Sequence, residues 1–118
     1  MNIESFREYC LSKKGVTEEL PFGPDTLVFK VMGKMFSVTG LDSERFRMSL
    51  KNTPEKNEEL RAEYACVTGA YHMNKRHWNT VTVDGTVKDN VLKEWIDDSY
   101  DIVVSNLPKK IQEELNKL

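Results

Sequence analysis

The sequence has few of the features that mark the most easily recognised classes of protein. Its 118 residues include only two cysteines, Cys10 and Cys66, too few for the disulfide framework of a small secreted domain. No apolar run approaches the roughly 20 residues that a membrane-spanning helix needs. A Gly-rich phosphate loop, an internal repeat and a low-complexity segment are all missing. We therefore expect a single domain over residues 1–118 with two free thiols.

A net positive charge is also missing. The formal net charge is −2, which disfavours binding of nucleic acid through overall electrostatic attraction but leaves room for a local basic patch. Residues 1–8 are acidic and amphipathic, without the basic-then-apolar layout of a signal peptide. We expect a cytoplasmic monomer without a membrane partner.

Helical periodicity and end signals predict four helices. The second begins at Thr53-Pro54-Glu55, where a capping hydroxyl, a proline at the first helical position and an acidic residue follow one another. The third has a wide apolar stripe that includes Trp95 and Ile96, while the aspartates near its middle are expected to face water. The predicted helices cover residues 3–14, 53–64, 88–106 and a segment that begins after Pro108.

Runs rich in β-branched and aromatic residues predict strands at residues 26–31, 34–39, 45–50 and 78–83. The two residues Met32-Gly33 separate the first pair, which is typical of an antiparallel hairpin. Phe46, Met48 and Leu50 alternate with polar residues, so the sheet has one solvated face.

Strands grouped between helices predict an α+β fold, with an antiparallel sheet, helices packed on one face and the other face free. Residues 16–25 contain Pro21 and Pro24 and are predicted to be a loop. We expect Leu20 and Phe22 to pin this loop to the core.

Polar and aromatic chemistry is concentrated in residues 71–85, which hold both histidines, a tryptophan and a Lys-Arg pair. Lys75 and Arg76 can neutralise phosphates, and hydrogen-bonding side chains beside them can reach phosphates or base edges. Trp78 can stack on a base or pack in the core. The candidate nucleic-acid-binding residues are Arg47, Lys51, His72, Asn74, Lys75, Arg76, His77 and Trp78.

Metal binding and catalysis have weaker support. His72 and His77 are five residues apart and Cys66 is six before His72, which matches no common ligand spacing. Nothing beside Cys66 resembles the surroundings of a cysteine nucleophile. We expect no enzyme activity, no metal and no cofactor, with a site at Cys66, His72 and His77 as a weaker alternative.

Several motifs, in order along nearly the whole chain, resemble the MmcQ/YjbR family. They are Val31-x-Gly33-Lys34-x-Phe36, Met48-Ser49-Leu50-Lys51, Thr53-Pro54-Glu55, Tyr71-His72-Met73-Asn74-Lys75-Arg76-His77-Trp78, Ser99-Tyr100-Asp101 and Leu107-Pro108. The resemblance implies a bacterial cytoplasmic protein with a CyaY-like, frataxin-shaped α+β fold, described as DNA-binding through wing-like hairpins. Frataxins bind iron through an acidic first helix, whereas Glu4 and Glu8 here alternate with basic residues, so iron is not expected.

The leading prediction is a small, non-catalytic DNA-binding module that contacts phosphates through the turn from His72 to Trp78. The alternative is a non-enzymatic domain that binds a protein or a small ligand, in which the histidine, asparagine and tryptophan side chains are structural.

Overall fold

The computed structural model describes residues 1–70 and 72–118. These residues form four helices and six strands, and the six strands make one antiparallel sheet in the order β1-β2-β3-β4-β6-β5. The elements are α1 (Ile3–Leu11), β1 (Val16–Glu19), β2 (Thr26–Val31), β3 (Lys34–Gly40), β4 (Arg47–Lys51), α2 (Pro54–Glu63), β5 (Val67–Gly69), β6 (Trp78–Thr82), α3 (Asp89–Ser105) and α4 (Lys109–Asn116). The predicted α+β fold with an antiparallel sheet is confirmed.

The helices cover one face of this sheet. Helix α3 packs on β2, β3 and β4, helix α2 on β5 and β6, and helix α1 on β1. The buried side chains between the layers include Phe29, Met48 and Val81 from the strands and Trp95 and Ile96 from α3. The predicted placement of the helices on one face is therefore confirmed. In the described part of the chain, no helix has both the length and the apolar character needed to cross a lipid bilayer.

The hairpin between β2 and β3 is confirmed, and its turn explains how two residues suffice. Met32 and Gly33 have φ angles of 49° and 83°. Positive φ at both central residues is the requirement of a type I′ turn, whose twist matches that of the paired strands. Val31 and Lys34 are then register partners at the base of the turn.

The predicted helix α2 is also confirmed together with its start signal. The Thr53 hydroxyl accepts a hydrogen bond from the Lys56 amide at 3.2 Å, and Pro54 occupies the first turn. Helix α1 ends at Leu11, earlier than predicted, with the chain passing through Ser12 to Gly15.

Two short strands were missed by the sequence prediction. Strand β1 lies within the segment predicted to be a loop, and β5 was not predicted at all. The expected anchoring role of Leu20 and Phe22 is wrong, because these side chains are 50% and 71% exposed. Pairing of β1 along β2, from Val16 to Glu19, fixes this part of the chain instead of apolar packing.

The expectation that the aspartates of α3 face water holds only in part for Asp97, whose side chain is 41% exposed. This side chain accepts a hydrogen bond from the Tyr9 hydroxyl at 2.7 Å and forms an ion pair with Lys13. Asp97 therefore joins α3 to α1, while Asp98 and Asp101 are exposed as expected.

Gly15 is expected to resist substitution. Its φ of +75° favours glycine, and a Cβ at this position would lie 2.6 Å from Cδ1 of the buried Leu115. We predict that Gly15→Ala lowers the free energy of unfolding by about 1–2 kcal/mol, measured by urea denaturation. Gly40→Ala is the control, because a Cβ there has no neighbour nearer than Asp42 at 3.8 Å. Equal midpoints for the two variants would contradict the prediction.

Candidate nucleic-acid interface

The turn that carries Lys75 and Arg76 is attached to helix α2 by a buried asparagine. The Asn57 side-chain amide donates to the Arg76 carbonyl at 2.9 Å and to the Asn52 carbonyl at 3.3 Å. Asn57 is 1% exposed, and its own carbonyl accepts from the side-chain amide of the buried Asn79 on β6 at 3.2 Å. The Asn57 side chain thus fixes the basic turn to helix α2, and the Asn79 side chain joins the main chain of that helix to the sheet.

Arg61, one helical turn further along α2, adds a second attachment. Its Nη1 donates to the Lys75 carbonyl at 2.7 Å and to Asn79 Oδ1 at 3.2 Å. Because these bonds engage main-chain atoms of the turn, the side chains of Lys75 and Arg76 are left to project outward, and both residues are exposed.

Asn74 shapes the turn from within. Its side-chain oxygen accepts from the Arg76 amide at 2.9 Å, and its carbonyl accepts from the amides of His77 and Trp78 at 3.1 and 2.9 Å. The half-buried His77 follows, with its carbonyl accepting from the Asn52 amide at 3.0 Å. Asn74 therefore has a structural function in this conformation whatever else it contacts.

The stem of Lys75 lies against Gly69 of strand β5. A Cβ at Gly69 would be 3.2–3.3 Å from the Cβ, Cγ and Cδ atoms of Lys75. The missing side chain at Gly69 thus makes space for the lysine stem. Packing of the stem lowers the entropy cost of presenting the ammonium group to a ligand.

The face of the sheet away from the helices, here called the open face, carries two further candidate cations. Strand alternation places Arg47, Ser49 and Lys51 of β4 on this face, opposite Thr82, Thr80 and Trp78 of β6. Arg47 Nε donates to Thr82 Oγ1 at 3.3 Å, while Lys51 is partly exposed. Arg47 and Lys51 thus lie at the two ends of one strand.

Negative charge is scarce among the strand residues of this face. By strand register, the only carboxylate among the described strand residues of the open face is Glu19 at the β1 edge. Glu19 accepts from Lys30 Nζ at 3.2 Å and from the Thr17 hydroxyl at 3.0 Å, and the lysine lowers its pKa. Glu19 is thereby paired within its own edge of the sheet.

None of the four candidate cations forms an ion pair with another described residue. The ion pairs within residues 1–70 and 72–118 involve other groups, such as Arg7 with Glu18 and Lys30 with Glu19. The candidate cations without a carboxylate partner among the described residues are therefore Arg47, Lys51, Lys75 and Arg76, a property that they share with other surface lysines and arginines such as Lys109 and Lys110.

A pocket of about 510 Å³ opens on the same face, between the loop that follows β1 and the loop that precedes β6. Its floor combines Met35 and Val38 with the hydroxyls of Ser49 and Thr80, which share a hydrogen bond of 3.0 Å. The residues that line it are Phe22, Thr26, Met35, Val38, Ser49, Ala70, His72, Met73 and Thr80.

The structure sorts the predicted site residues into three groups by exposure. Most are exposed, and His72 lies at the pocket; the exposed set is Arg47, His72, Asn74, Lys75 and Arg76. Lys51 and His77 are partly exposed. Trp78 is 8% exposed, so of its two possible roles the structure shows packing. Tyr71, part of the family signature, lies outside the described residues. Binding of nucleic acid by this set stays a prediction.

The residues that sequence reasoning missed are the ones that fix the turn, Asn57, Arg61 and Asn79. The sequence indicates their role only weakly. Asn57 lies three residues before Leu60 and thus on the packed side of α2, a position where a polar residue indicates a specific hydrogen bond.

Both cysteines are packed in the hydrophobic core. Cys10 and Cys66 are both buried and both free thiols, as predicted. Burial raises the pKa of Cys10 to about 12, so the reactive thiolate is scarce at neutral pH. Within the described residues, no three His, Cys, Asp or Glu side chains are grouped as metal ligands.

Fold and site together define a one-sheet α+β domain with helices on one face and a cation-bordered pocket on the other. A family model described as YjbR matches residues 11–102, so the chain belongs to the YjbR family, also called MmcQ/YjbR. It is 32% identical over 110 residues to the uncharacterised Escherichia coli K12 protein YjbR, covering 93% of each chain. It is 37% identical over 93 residues to the uncharacterised protein YbdF of Escherichia coli O157:H7, covering 78% of this chain and 75% of YbdF.

Solved structures share the fold. A Deinococcus radiodurans protein of known crystal structure superposes with a TM-score of 0.90 at 38% identity, covering 98% of this chain and 88% of that chain. A Pseudomonas syringae protein superposes with a TM-score of 0.75 at 28% identity, covering 86% of this chain and 98% of that chain. The sheet and its helices are therefore a shared framework, and the frataxin-like shape implied by the resemblance is compatible with it.

Proposed function

We propose that this protein is a small, monomeric, cytoplasmic DNA-binding module without catalytic activity. The observation that supports it most is the set of unpaired cations on the open face and the adjoining turn. Arg47, Lys51, Lys75 and Arg76 have no carboxylate partner among the described residues, and the one strand carboxylate of that face is paired with Lys30. The positive charge of these four residues thus favours binding of a polyanion, although the net charge of the chain is −2.

The spacing of these cations suits a phosphate backbone. Arg47 and Lys51 are four residues apart on one strand, which corresponds to roughly 13 Å between their Cα atoms. Along the axis of a DNA duplex, that distance corresponds to about four base-pair steps at 3.4 Å per step. Lys75 and Arg76 lie on the turn beyond the Lys51 end of β4, since Trp78 on β6 is the register partner of Lys51.

Phosphate contacts position a nucleic acid without specifying its sequence. Arg47 and Arg76 are exposed and carry long flexible stems, so they can follow a backbone of any sequence. The rigid part is the scaffold below them, where Asn57 and Arg61 fix the main chain of the turn. We therefore expect binding that depends on charge more than on base sequence.

The test is a fluorescence anisotropy titration of a labelled DNA duplex at low salt. We predict that Lys75→Ala/Arg76→Ala weakens binding by roughly 10-fold, because two phosphate contacts are lost. The matched control is Lys109→Ala/Lys110→Ala, which removes the same charge from an exposed pair on helix α4. The control is expected to bind like the wild type.

Two results would overturn this proposal. One is the absence of binding at low salt both to the duplex and to its separated strands, which would favour the alternative of a protein- or small-ligand-binding domain. The other is an equal loss of affinity in both double variants, since the effect would then follow net charge and not the position of Lys75 and Arg76.

A further inference from the structure

We infer that the open-face pocket receives one unpaired nucleobase, so that the protein binds single-stranded DNA more tightly than duplex DNA. This inference rests on the proposed function and adds the form of nucleic acid to it. The pocket and the cations share strand β4, where Ser49 in the pocket floor lies between Arg47 and Lys51.

The size and lining of the pocket suit a flat, partly apolar group. Its volume of about 510 Å³ lies within the range of pockets that bind small organic molecules. Met35 and Val38 supply an apolar floor, and Phe22 stands at the rim with 71% of its surface exposed. A large aromatic side chain that is exposed beside an apolar floor can stack on a base of any sequence.

Polar groups in the pocket match the edge of a base. Ser49 and Thr80 are bonded to each other at 3.0 Å, and a pair of hydroxyls that share one hydrogen bond retains one donor and several acceptor positions. His72 and Met73 line the wall opposite to the loop of Phe22. The pocket can therefore both stack on a base and form hydrogen bonds with it.

The cations of β4 can also hold the backbone of the nucleic-acid strand whose base occupies the pocket. Ser49 is two residues from Arg47 and two from Lys51, roughly 7 Å between Cα atoms in each direction. A base at Ser49 thus has a cation on either side for its flanking phosphates. In a duplex the bases are stacked and paired, so only a single strand or a base extruded at a cost can enter the pocket.

The first test compares a labelled single strand with the duplex of the same sequence, for the wild type and Phe22→Ala. We expect tighter binding of the single strand, and a loss of about 5- to 100-fold in Phe22→Ala for that strand alone. Leu20→Ala is the control, because Leu20 is 50% exposed in the same loop but does not line the pocket. Both side chains are exposed, so neither variant removes core packing.

The second readout is the set of methionine methyl resonances of ¹³C-labelled protein. The chain has five methionines, of which Met35 and Met73 line the pocket and Met48 is fully buried on the helix side of the sheet. A single strand is expected to shift Met35 and Met73 and to leave Met48 unchanged, whereas a duplex is expected to shift neither pocket methionine.

Equal affinity for the two forms, an unchanged affinity in Phe22→Ala, or an unshifted Met35 would overturn the inference. Each of these results can occur while the duplex still binds through Lys75 and Arg76, in which case the proposed function stands alone. If neither form binds at low salt, the proposed function fails and the pocket assignment fails with it.

Discussion

Asn57→Ala is expected to lower the free energy of unfolding by about 2–3 kcal/mol. The variant removes the amide that donates to the Arg76 and Asn52 carbonyls. Because Asn57 is 1% exposed, water cannot easily replace these bonds, and the cavity left by the side chain adds to the cost. The basic turn loses its main attachment to α2, so nucleic-acid affinity is expected to fall as well, although no cation has been changed.

Urea denaturation followed by circular dichroism measures the change in stability, and anisotropy at low salt measures the change in affinity. Glu58→Ala is the control, since it lies next to Asn57 on α2 but is exposed. It is expected to shift the free energy of unfolding by no more than about 0.5 kcal/mol. Similar denaturation midpoints for the two variants would show that Asn57 does not fix the turn.

Ser99→Ala is expected to have the second-largest effect, a loss of about 2 kcal/mol in the free energy of unfolding. The fully buried Ser99 hydroxyl donates to the Phe36 carbonyl of β3 at 2.6 Å and accepts from the Lys51 amide of β4 at 2.8 Å. Removing it leaves a buried main-chain donor and a buried acceptor without this partner. Ser99 thus joins α3 to two strands, one of which carries Lys51.

The comparison for Ser99→Ala is Ser105→Ala, measured by thermal and urea denaturation. Ser105 is on the same helix but is exposed, and its hydroxyl bonds only within the helix, to the Ile102 carbonyl. A loss of stability in Ser99→Ala no greater than in Ser105→Ala would mean that the connection between α3 and the sheet does not depend on this hydroxyl.

Much of the fold could be predicted from local patterns. The alternation around Met48 predicts a strand, Met32-Gly33 predicts a hairpin turn, and Thr53-Pro54 predicts a helix start. Each of these patterns depends only on residues that are neighbours in the sequence. Strands β1 and β5 could not be predicted, because the first contains two glutamates and the second is three residues long. Both are edge strands, which form through pairing with β2 and β6, and such pairing is not visible in a local pattern.

Of the candidate site, only the charged residues could be predicted from the sequence. Lys75 and Arg76 are adjacent in the sequence and stand out at once, and their exposure agrees with the role predicted for them. The attachment through Asn57 joins positions 19 residues apart, so no spacing rule could indicate it. The pocket could not be predicted, because it is formed by loops and strands that are distant along the chain. Phe22 was expected to be buried, and only the three-dimensional structure places it at the rim of the pocket.

The central claim is that the unpaired cations of the open face and of the adjoining turn bind nucleic-acid phosphates. Its most direct test is the salt dependence of duplex affinity. Four phosphate contacts predict that the logarithm of the binding constant falls with the logarithm of salt concentration with a slope of roughly −3.6. Lys75→Ala/Arg76→Ala is expected to reduce that slope by about 1.8, while Lys109→Ala/Lys110→Ala leaves it unchanged. A slope near zero, or one that is identical in all three proteins, would contradict the account.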